Sequence, residues 1–435
     1  MVPGNARSIH RGPPVTATRL VVIGLGYVGL PLAAEAARAG LRVVGVDVDD
    51  RVVDGLNAGW SHIDDVSSAD VQAARHRGFT ATTDTAAVAT ADVVVVCVPT
   101  PLSEEGGPDL AAVRSATRAI AEHLHRGTLV VLESTTYPGT TEELFIPLLE
   151  RSGLVAGSDF HVAFSPERVD PGNPSYGIRN TPRVVGGYTP GCTAAALAFY
   201  RSFVDTVVPA KGTREAEMAK LLENTYRHIN IALVNEMARF SHEMGIDLWN
   251  VIDCAATKPF GFQAFRPGPG VGGHCIPIDP SYLSHAVQAR LRYPFRFVEL
   301  ASEINASMPG YVVRRVQDLL NDEGHALRDA RVLLLGITYK PDVADERESP
   351  AVPLAQRLRA LGATVSFHDP LVPVWRIDGV KPLDRVPDLD AALRDADVSV
   401  LLQNHRDYDP GHLAATARLL FDTRGVTDAD RVARL

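Results

Sequence analysis

The stretch Pro267-Gly-Pro-Gly-Val-Gly-Gly-His-Cys-Ile-Pro-Ile-Asp279 concentrates the residue types that do chemistry. Cys275 stands in a glycine-rich loop, not in an apolar strand where a thiol packs as a small hydrophobe. Glycines let backbone N–H groups come close to a reacting centre, and a thiolate placed there is a nucleophile. The plain alternative, a buried structural thiol, is the expectation for Cys97, Cys192 and Cys254. His274 has no second His or Cys at ligand spacing, so no metal site is expected. Lys220 and Asn224 lie four apart in a helical pattern and therefore face one way. On spacing alone, a solvated face or a lysine paired with a carboxylate explains them equally well. Glu167, in Phe-Ser-Pro-Glu-Arg-Val-Asp-Pro-Gly, follows a short strand-like run, His161–Phe164, and is unremarkable by itself.

A second site announces itself near the start. Gly24-Leu-Gly26-Tyr27-Val28-Gly29 sits between a strand pattern and a helix pattern, and Asp47 ends the next strand. Gly24 permits the tight turn, Gly26 admits a pyrophosphate close to the backbone, and Gly29 lets the helix pack on the strand. The helix N-terminus then offers N–H groups to the phosphates. Asp47 falls eighteen residues after Gly29, where a carboxylate accepts hydrogen bonds from the adenosine ribose and repels a 2′-phosphate. The expected cofactor is therefore NAD. Asp49 and Arg51 read as a solvated turn.

Positioning these residues requires a scaffold, and the hydrophobic pattern supplies one. Arg19–Gly24, Arg42–Asp47, Ala91–Val98 and Thr128–Leu132 are apolar runs without alternation, as in strands buried on both faces. Helical stretches separate them, which predicts a parallel, doubly wound sheet. From Glu215 to Gly245 the chain carries no Pro or Gly until its end, and Met218, Leu221, Leu222, Tyr226, Ile229, Leu233 and Met237 recur at helical spacing. This stripe is expected to be core. After a Gly/Pro-rich loop at Pro259–Pro280, helix continues to about Asn321. A second α/β pattern follows: strands at Arg331–Ile337, Thr364–His368 and Val398–Leu402, with helices at Pro350–Leu361 and Leu389–Asp395. The predicted fold is α/β, with two Rossmann-like doubly wound domains joined by a long central helix and a helical linker. The expected boundaries are 1–18 for a disordered tail, 19–211 for the NAD-binding domain, 212–325 for the helical region carrying the Cys275 loop, and 326–435 for the second α/β domain.

Composition narrows the function class. The 435 residues are enough for more than one core, and 46% hydrophobic with 22% charged is a globular balance. A net charge of −9 gives no basic footprint for nucleic acid. No apolar run is long enough to span a bilayer, and the first eighteen residues lack the apolar segment of a signal peptide. Four scattered cysteines do not make a disulfide framework. A soluble cytoplasmic protein is the expectation.

Seven motifs in order make the chain similar to a known family, the nucleotide-sugar 6-dehydrogenases. They are Gly24–Pro31 (GLGYVGLP), Val98–Pro101 (VPTP), Glu133–Thr141 (ESTTYPGTT), Ser165–Arg168 (SPER), Lys220–Asn224 (KLLEN), Gly268–Pro280 (GPGVGGHCIPIDP) and Tyr339–Pro350 (YKPDVADERESP). The likeness runs from Arg19 to Val426. It implies a four-electron oxidation of the sugar C6 alcohol to a carboxylate, with NAD used twice. Cys275 matches the nucleophile, passing through a thiohemiacetal and a thioester. Lys220, Asn224 and Asp279 match residues that handle the C6 oxygen. Lys220 and Asn224 would stabilise the oxyanion, and Asp279 would act through a water as base. Glu167 matches a carboxylate with acid/base work in the hydrolysis, and Thr135 a residue near the nicotinamide. Beside the glycine turn and Asp47, the cofactor set would include Val98, Pro99, Thr100 and Arg347. Lys340, Asp345 and Arg347 match the nucleotide-binding and interdomain motif of the C-terminal domain. The substrate set would include Glu167, Arg168, Lys220, Asn224, Arg266, Gly272 and Lys340, with Arg266 in the role of an arginine that crosses a dimer interface. A homodimer or higher homo-oligomer is implied.

Arg168 and Ile278 depart from the UDP-glucose branch of that family, which tends to Phe and Lys there. Thr257–Phe262 and Gly268–Cys275 look like the UDP-N-acetylglucosamine/N-acetylmannosamine branch. A UDP-N-acetylhexosamine is therefore the expected substrate, with UDP- or dTDP-glucose as the alternative. A single-hydride dehydrogenase of the 6-phosphogluconate or hydroxyacid type has no use for Cys275 or for residues 328–435. A non-catalytic NAD-binding protein has no use for Glu167, Lys220, Asn224, Cys275 and Asp279 together.

Overall fold

A computed structural model describes residues 18–103, 107–170, 172–173, 175–273, 276, 278–427 and 432–435. Cys275, His274 and the expected tail up to Ala17 lie outside the described residues. The chain packs as two units: residues through Thr100 with Asp109–Lys220, and Pro101–Pro108 with Leu221–Leu435.

The first unit is built on eight strands: β1 (Arg19–Ile23), β2 (Arg42–Val46), β3 (Thr80–Thr82), β4 (Val93–Val96), β5 (Leu129–Leu132), β6 (His161–Phe164), β7 (Arg183–Gly187) and β8 (Val207–Pro209). Their order is β3-β2-β1-β4-β5-β6-β7-β8, and every neighbouring pair is parallel except β6 with β7. Apolar runs without alternation are explained by burial on both faces. Leu20, Val22, Val95 and Val131 enter one core, while Val21, Ile23, Val94 and Leu132 enter the other. Helices α1 (Gly29–Arg38), α2 (Asp50–Ala58), α3 (Ser68–His76), α4 (Ala111–His123), the single turn α5 (Ile146–Leu149) and α6 (Pro190–Tyr200) connect these strands. The β1/β4 border is the point where strand order reverses, the place where ligands bind in such sheets. The segment from β7 to β8, including α6, is not visible in the sequence pattern.

The long helix α7 (Thr213–Glu243) leads out of this unit, and the division between units falls within it, after Lys220. The second unit adds α8 (Leu248–Ala256), α9 (Asp279–Leu291) and α10 (Arg296–Asp322), then an α/β domain. Its strands are β9 (Arg331–Leu335), β10 (Thr364–His368), β11 (Val374–Trp375), β12 (Leu383–Asp384), β13 (Val398–Leu401), β14 (Leu420–Asp422) and β15 (Ala433–Arg434). The main sheet runs β10-β9-β13-β14-β15, all parallel. Helices α11 (Ala351–Ala360), α12 (Leu389–Asp395) and α13 (Pro410–Thr416) pack with it, and the two sheet faces again feed separate cores.

Two expectations need correction. The apolar stripe of α7 is not core throughout: Leu222, Tyr226 and Leu233 are 59%, 47% and 53% exposed. The buried face instead carries Leu221, Thr225, His228, Ala232 and Asn235, and two of its polar members, His228 and Asn235, find polar partners on α10. Cys254 is exposed on α8, not a buried thiol, whereas Cys97 and Cys192 are buried.

The α7–α10 seam is a connected polar chain. The Gly268 N–H donates to Asn235 Oδ1 at 2.9 Å, and Asn235 Nδ2 donates to Asn305 Oδ1 at 2.9 Å. Asn305 Nδ2 reaches the His228 carbonyl at 3.3 Å, and His228 Nε2 pairs with Ser302 Oγ at 3.2 Å. The start of the Gly268–Gly273 loop is thereby tied to both helices. Burial lowers the His228 imidazole from 6.5 to about 4. Between those values the unfolded chain binds more protons than the folded one, so stability rises with pH across that window and is lost as pH falls. Denaturant unfolding at pH 5 is expected to show roughly 2 kcal/mol less stability from this group than at pH 7. The variant His228→Asn should flatten the difference, and an unchanged slope would contradict the assignment.

Candidate active site

The cofactor turn is set by close approach. Gly24 has φ +90°, and a Cβ on it would stand 2.8 Å from the Cys97 carbonyl oxygen. A Cβ on Gly29 would lie 1.8 Å from the Gly24 carbonyl oxygen, so helix and strand meet with no room for any side chain. A Cβ on Gly26 meets nothing within 4 Å, which leaves open space in front of that backbone. Asp47 fixes the turn from the next strand: its Oδ2 accepts from the Leu25 N–H at 2.9 Å and its Oδ1 from the Asp49 N–H at 3.1 Å. No side chain caps α1. A cradle closed at Gly24 and Gly29 and open at Gly26, facing an uncapped helix and an acid, fits the diphosphate and ribose of a dinucleotide. Val98 and Thr100 follow β4 on the other side of the strand-order reversal, and Ser134 Oγ donates to the Val98 carbonyl at 2.7 Å.

At the ends of β5 and β6 the first unit gathers charge. Lys220, buried on α7, donates to Thr135 Oγ1 at 2.5 Å. One turn earlier, Glu217 registers α7 against the same loop. Its carboxylate accepts from the Gly139 N–H at 2.5 Å, the Thr141 N–H at 2.8 Å and the Thr141 hydroxyl at 2.7 Å. Burial pushes Glu217 up to about 7 against these hydrogen bonds. Glu167 Oε1 accepts from the N–H groups of Arg168 at 2.7 Å and Val169 at 2.6 Å, and its Oε2 from Arg183 at 2.7 Å. The Arg168 side chain holds the Pro182 carbonyl at 2.7 Å.

In the second unit, Asn224 Nδ2 donates to Asp279 Oδ2 at 2.5 Å. Asp279 is buried and opens α9, where the helix dipole favours a carboxylate. Arg347 grips Asp345 in a two-pronged pair, at 2.8 Å and 2.6 Å. Arg266 pairs with Asp253 at 2.5 Å and lies over the Trp249 ring. Gly272 is confined, since a Cβ there would stand 2.6 Å from the Glu348 carbonyl oxygen and 2.9 Å from the Tyr339 side chain. The loop before Cys275 thus packs on the same segment that carries Lys340. Thr135, Glu167 and Lys220 belong to the first unit; Asn224, Gly272, Asp279, Lys340 and Arg347 belong to the second.

Three residues escaped the sequence analysis. Glu133 and Arg183 form a buried pair at 2.6 Å, and their only signal is a charge bounding a wholly apolar strand. Burial raises Glu133 above the usual carboxylate range, against the pull of Arg183. Arg424, whose Nη1 would meet a Cβ on Gly268 at 2.9 Å, is drawn down to about 10 by desolvation.

The C-terminal domain repeats the cofactor turn with one change. Gly336, at φ +73°, presses on the Gln403 carbonyl, and the next N–H, of Ile337, donates to Asp369 Oδ2 at 2.7 Å. Here the acid is wholly buried, and His405 Nε2 sits 3.0 Å from the same oxygen. His405 Nδ1 accepts from the Asp342 N–H at 3.0 Å, so Nε2 carries the proton and donates to Asp369. The carboxylate that could hold a ribose is sealed, and the domain is not a second dinucleotide site of the first kind.

Models of three domains of one family match the chain. The NAD-binding domain of the UDP-glucose/GDP-mannose dehydrogenase family matches residues 18–204, its central domain 214–307 and its UDP-binding domain 333–429. The chain belongs to that family. It is an NAD-dependent nucleotide-sugar dehydrogenase, and the two Rossmann-like sheets are those of its relatives. A UDP-N-acetyl-D-mannosamine dehydrogenase of Salmonella typhi is 36% identical over 94% of this chain and 99% of its own. An NDP-N-acetyl-D-galactosaminuronic acid dehydrogenase of Ralstonia nicotianae is 37% identical over 95% and 97%. Among solved structures, the UDP-D-ManNAc dehydrogenase of Pyrococcus horikoshii superimposes with a TM-score of 0.86 at 32% identity, covering 96% of this chain and 99% of that one. No helix among the described residues is long and apolar enough to cross a membrane. Among those residues no group of three or more His, Cys, Asp or Glu is placed to hold a metal ion.

The glycines of the cofactor turn separate two kinds of failure. Gly26→Val puts its side chain into open space, so the variant should keep its melting temperature and lose NAD binding by at least ~10-fold. Gly29→Ala should lower the melting temperature itself, because even one methyl collides with backbone. Retained NAD affinity in a folded Gly26→Val enzyme would contradict the placement.

Proposed function

We propose that the chain oxidises the C6 alcohol of a UDP-N-acetylhexosamine to the uronic acid. Gly24–Gly29 and Asp47 would hold NAD, which would supply the hydride acceptor for each of the two oxidations. The observation that carries the reading is on α7: Lys220 and Asn224, one turn apart, are each held by a polar side chain, Thr135 and Asp279. Thr135 aims the Lys220 ammonium, which stabilises negative charge as the C6 oxygen loses its proton. Asp279, oriented by Asn224, takes that proton through a water. The Cys275 thiolate adds to the C6 aldehyde to give a thiohemiacetal, whose hydride leaves to give a thioester. Water then cleaves the C–S bond, releasing the carboxylate and restoring the thiolate, with Glu167 serving this hydrolysis. Lys340 and Arg266 contact the nucleotide sugar, as do Arg168 and Gly272, while Arg347 reaches the cofactor.

The acetamido group is supported by Arg168 and Ile278, and by the N-acetylated sugars in the names of both curated relatives. A panel of UDP-GlcNAc, UDP-ManNAc, UDP-glucose, dTDP-glucose and GDP-mannose tests it. One N-acetylhexosamine should show the highest kcat/KM by at least ~10-fold, since a pocket that hydrogen-bonds an amide discriminates strongly against its absence. Preference for either glucose nucleotide would overturn this choice and leave the reaction class standing.

The exposed face of α7 meets a second copy of the chain in this reading. Leu222, Tyr226, Leu233 and Phe240 form an apolar stripe on one helix, which a monomer leaves in water. Sedimentation should give a dimer or larger, and Leu222→Glu with Leu233→Glu should shift it to monomer; a monomeric wild type would refute it.

A further inference from the structure

We propose that Arg183 is the positioning residue that sets the spacing of the two loops ending β5 and β6, on the reading that Thr135, Lys220 and Glu167 serve the oxidation. Arg183 opens β7, and its side chain is buried under the sheet's carboxyl edge. One arm of the guanidinium, Nη1, donates to Glu133 Oε1 at 2.6 Å and to Ser165 Oγ at 3.4 Å. The other arm, Nη2, donates to Glu167 Oε2 at 2.7 Å. The guanidinium carbon lies 4.9 Å from the Tyr200 ring centre, and the Tyr200 hydroxyl donates to the same Glu133 oxygen. All these partners are buried.

The two carboxylates belong to different loops. Glu133 directly follows β5 and stands two residues before Thr135, which holds Lys220. Glu167 follows β6 by three residues. Two buried carboxylates facing each other would push these loops apart; a cation shared between them draws both to one fixed spacing. Only a planar fork can do this, because its two arms bind two acceptors at once in set directions. A lysine keeps the charge but offers a single point, which satisfies one carboxylate and releases the other. A pair serving stability alone gains little from being ionic, since well-packed apolar residues often do as well in such places. Here each end of the fork is tied to a residue of the oxidation site.

The variant Arg183→Lys tests this, with NAD affinity measured by titration and kcat and KM for the nucleotide sugar measured beside wild type. The pair touches the cofactor turn through Cys97, whose thiol donates to Glu133 Oε2 at 3.8 Å, and a lysine leaves Glu133 charged and in place there, so NAD affinity and KM should change by much less than kcat. A misplacement of about 1 Å at the reacting groups costs on the order of 100-fold, so kcat should fall by about that factor. A folded Arg183→Lys enzyme with kcat within ~3-fold of wild type overturns the proposal. If that variant fails to bind NAD or to melt cooperatively, Tyr200→Phe decides instead. It leaves every charge in place and removes one hydrogen bond on Glu133, and kcat should fall at least ~5-fold with KM unchanged. Wild-type kcat in Tyr200→Phe would then refute the positioning role. A wild-type enzyme that oxidises no nucleotide sugar would overturn the reaction reading and this role with it, whereas an active wild type beside an equally active Arg183→Lys overturns this role alone.

Discussion

The molecule depends on how a buried parallel strand is allowed to end. At the carboxyl edge of the sheet the chain must leave the ladder within two residues and leave room for a ligand. Gly24 does so by turning into φ +90° against the Cys97 carbonyl, and Asp47 holds the following N–H from the neighbouring strand. The same turn recurs at Gly336, Ile337 and Asp369. What differs is access. Asp47 keeps contact with solvent, while Asp369 is sealed beneath His405. One backbone device thus yields a dinucleotide cradle in the first domain and a closed, histidine-locked turn in the second.

Charge is the second theme, and it is managed by enclosure. The first unit buries Glu133, Glu167, Arg183, Glu217 and Lys220 near the ends of β5 and β6. Each has a named partner, as burial of charge demands. The second unit does the same with neutral groups along α7 and α10, where Asn235, Asn305 and His228 link the helix seam to Gly268. Both arrangements tie loops to the helices beside them. Thr135 and Glu167, proposed for the oxidation, stand on such loops, and their precision comes from the buried polar groups beneath them.

Much of the scaffold was legible. Strands His161–Phe164 and Thr364–His368 and helix Leu389–Asp395 have the bounds that their patterns predict. The glycine turn was legible because steric need leaves no other residue at Gly24 and Gly29. The inside-out face of α7 was not, since periodicity reports an apolar stripe without saying whether core or another chain covers it. The pairing of Arg183 with Glu133 and Glu167 was hidden for a different reason. Contacts across fifty and sixteen residues leave no local pattern, only charges standing at the edges of apolar strands.

A four-electron oxidation has an electron count that is directly measurable. NADH formed per mole of UDP-N-acetylhexosamine consumed by the wild-type enzyme should be two, with the uronic acid as the product. One NADH per sugar, with an aldehyde as the end product, would contradict the thioester step and the role assigned to Cys275.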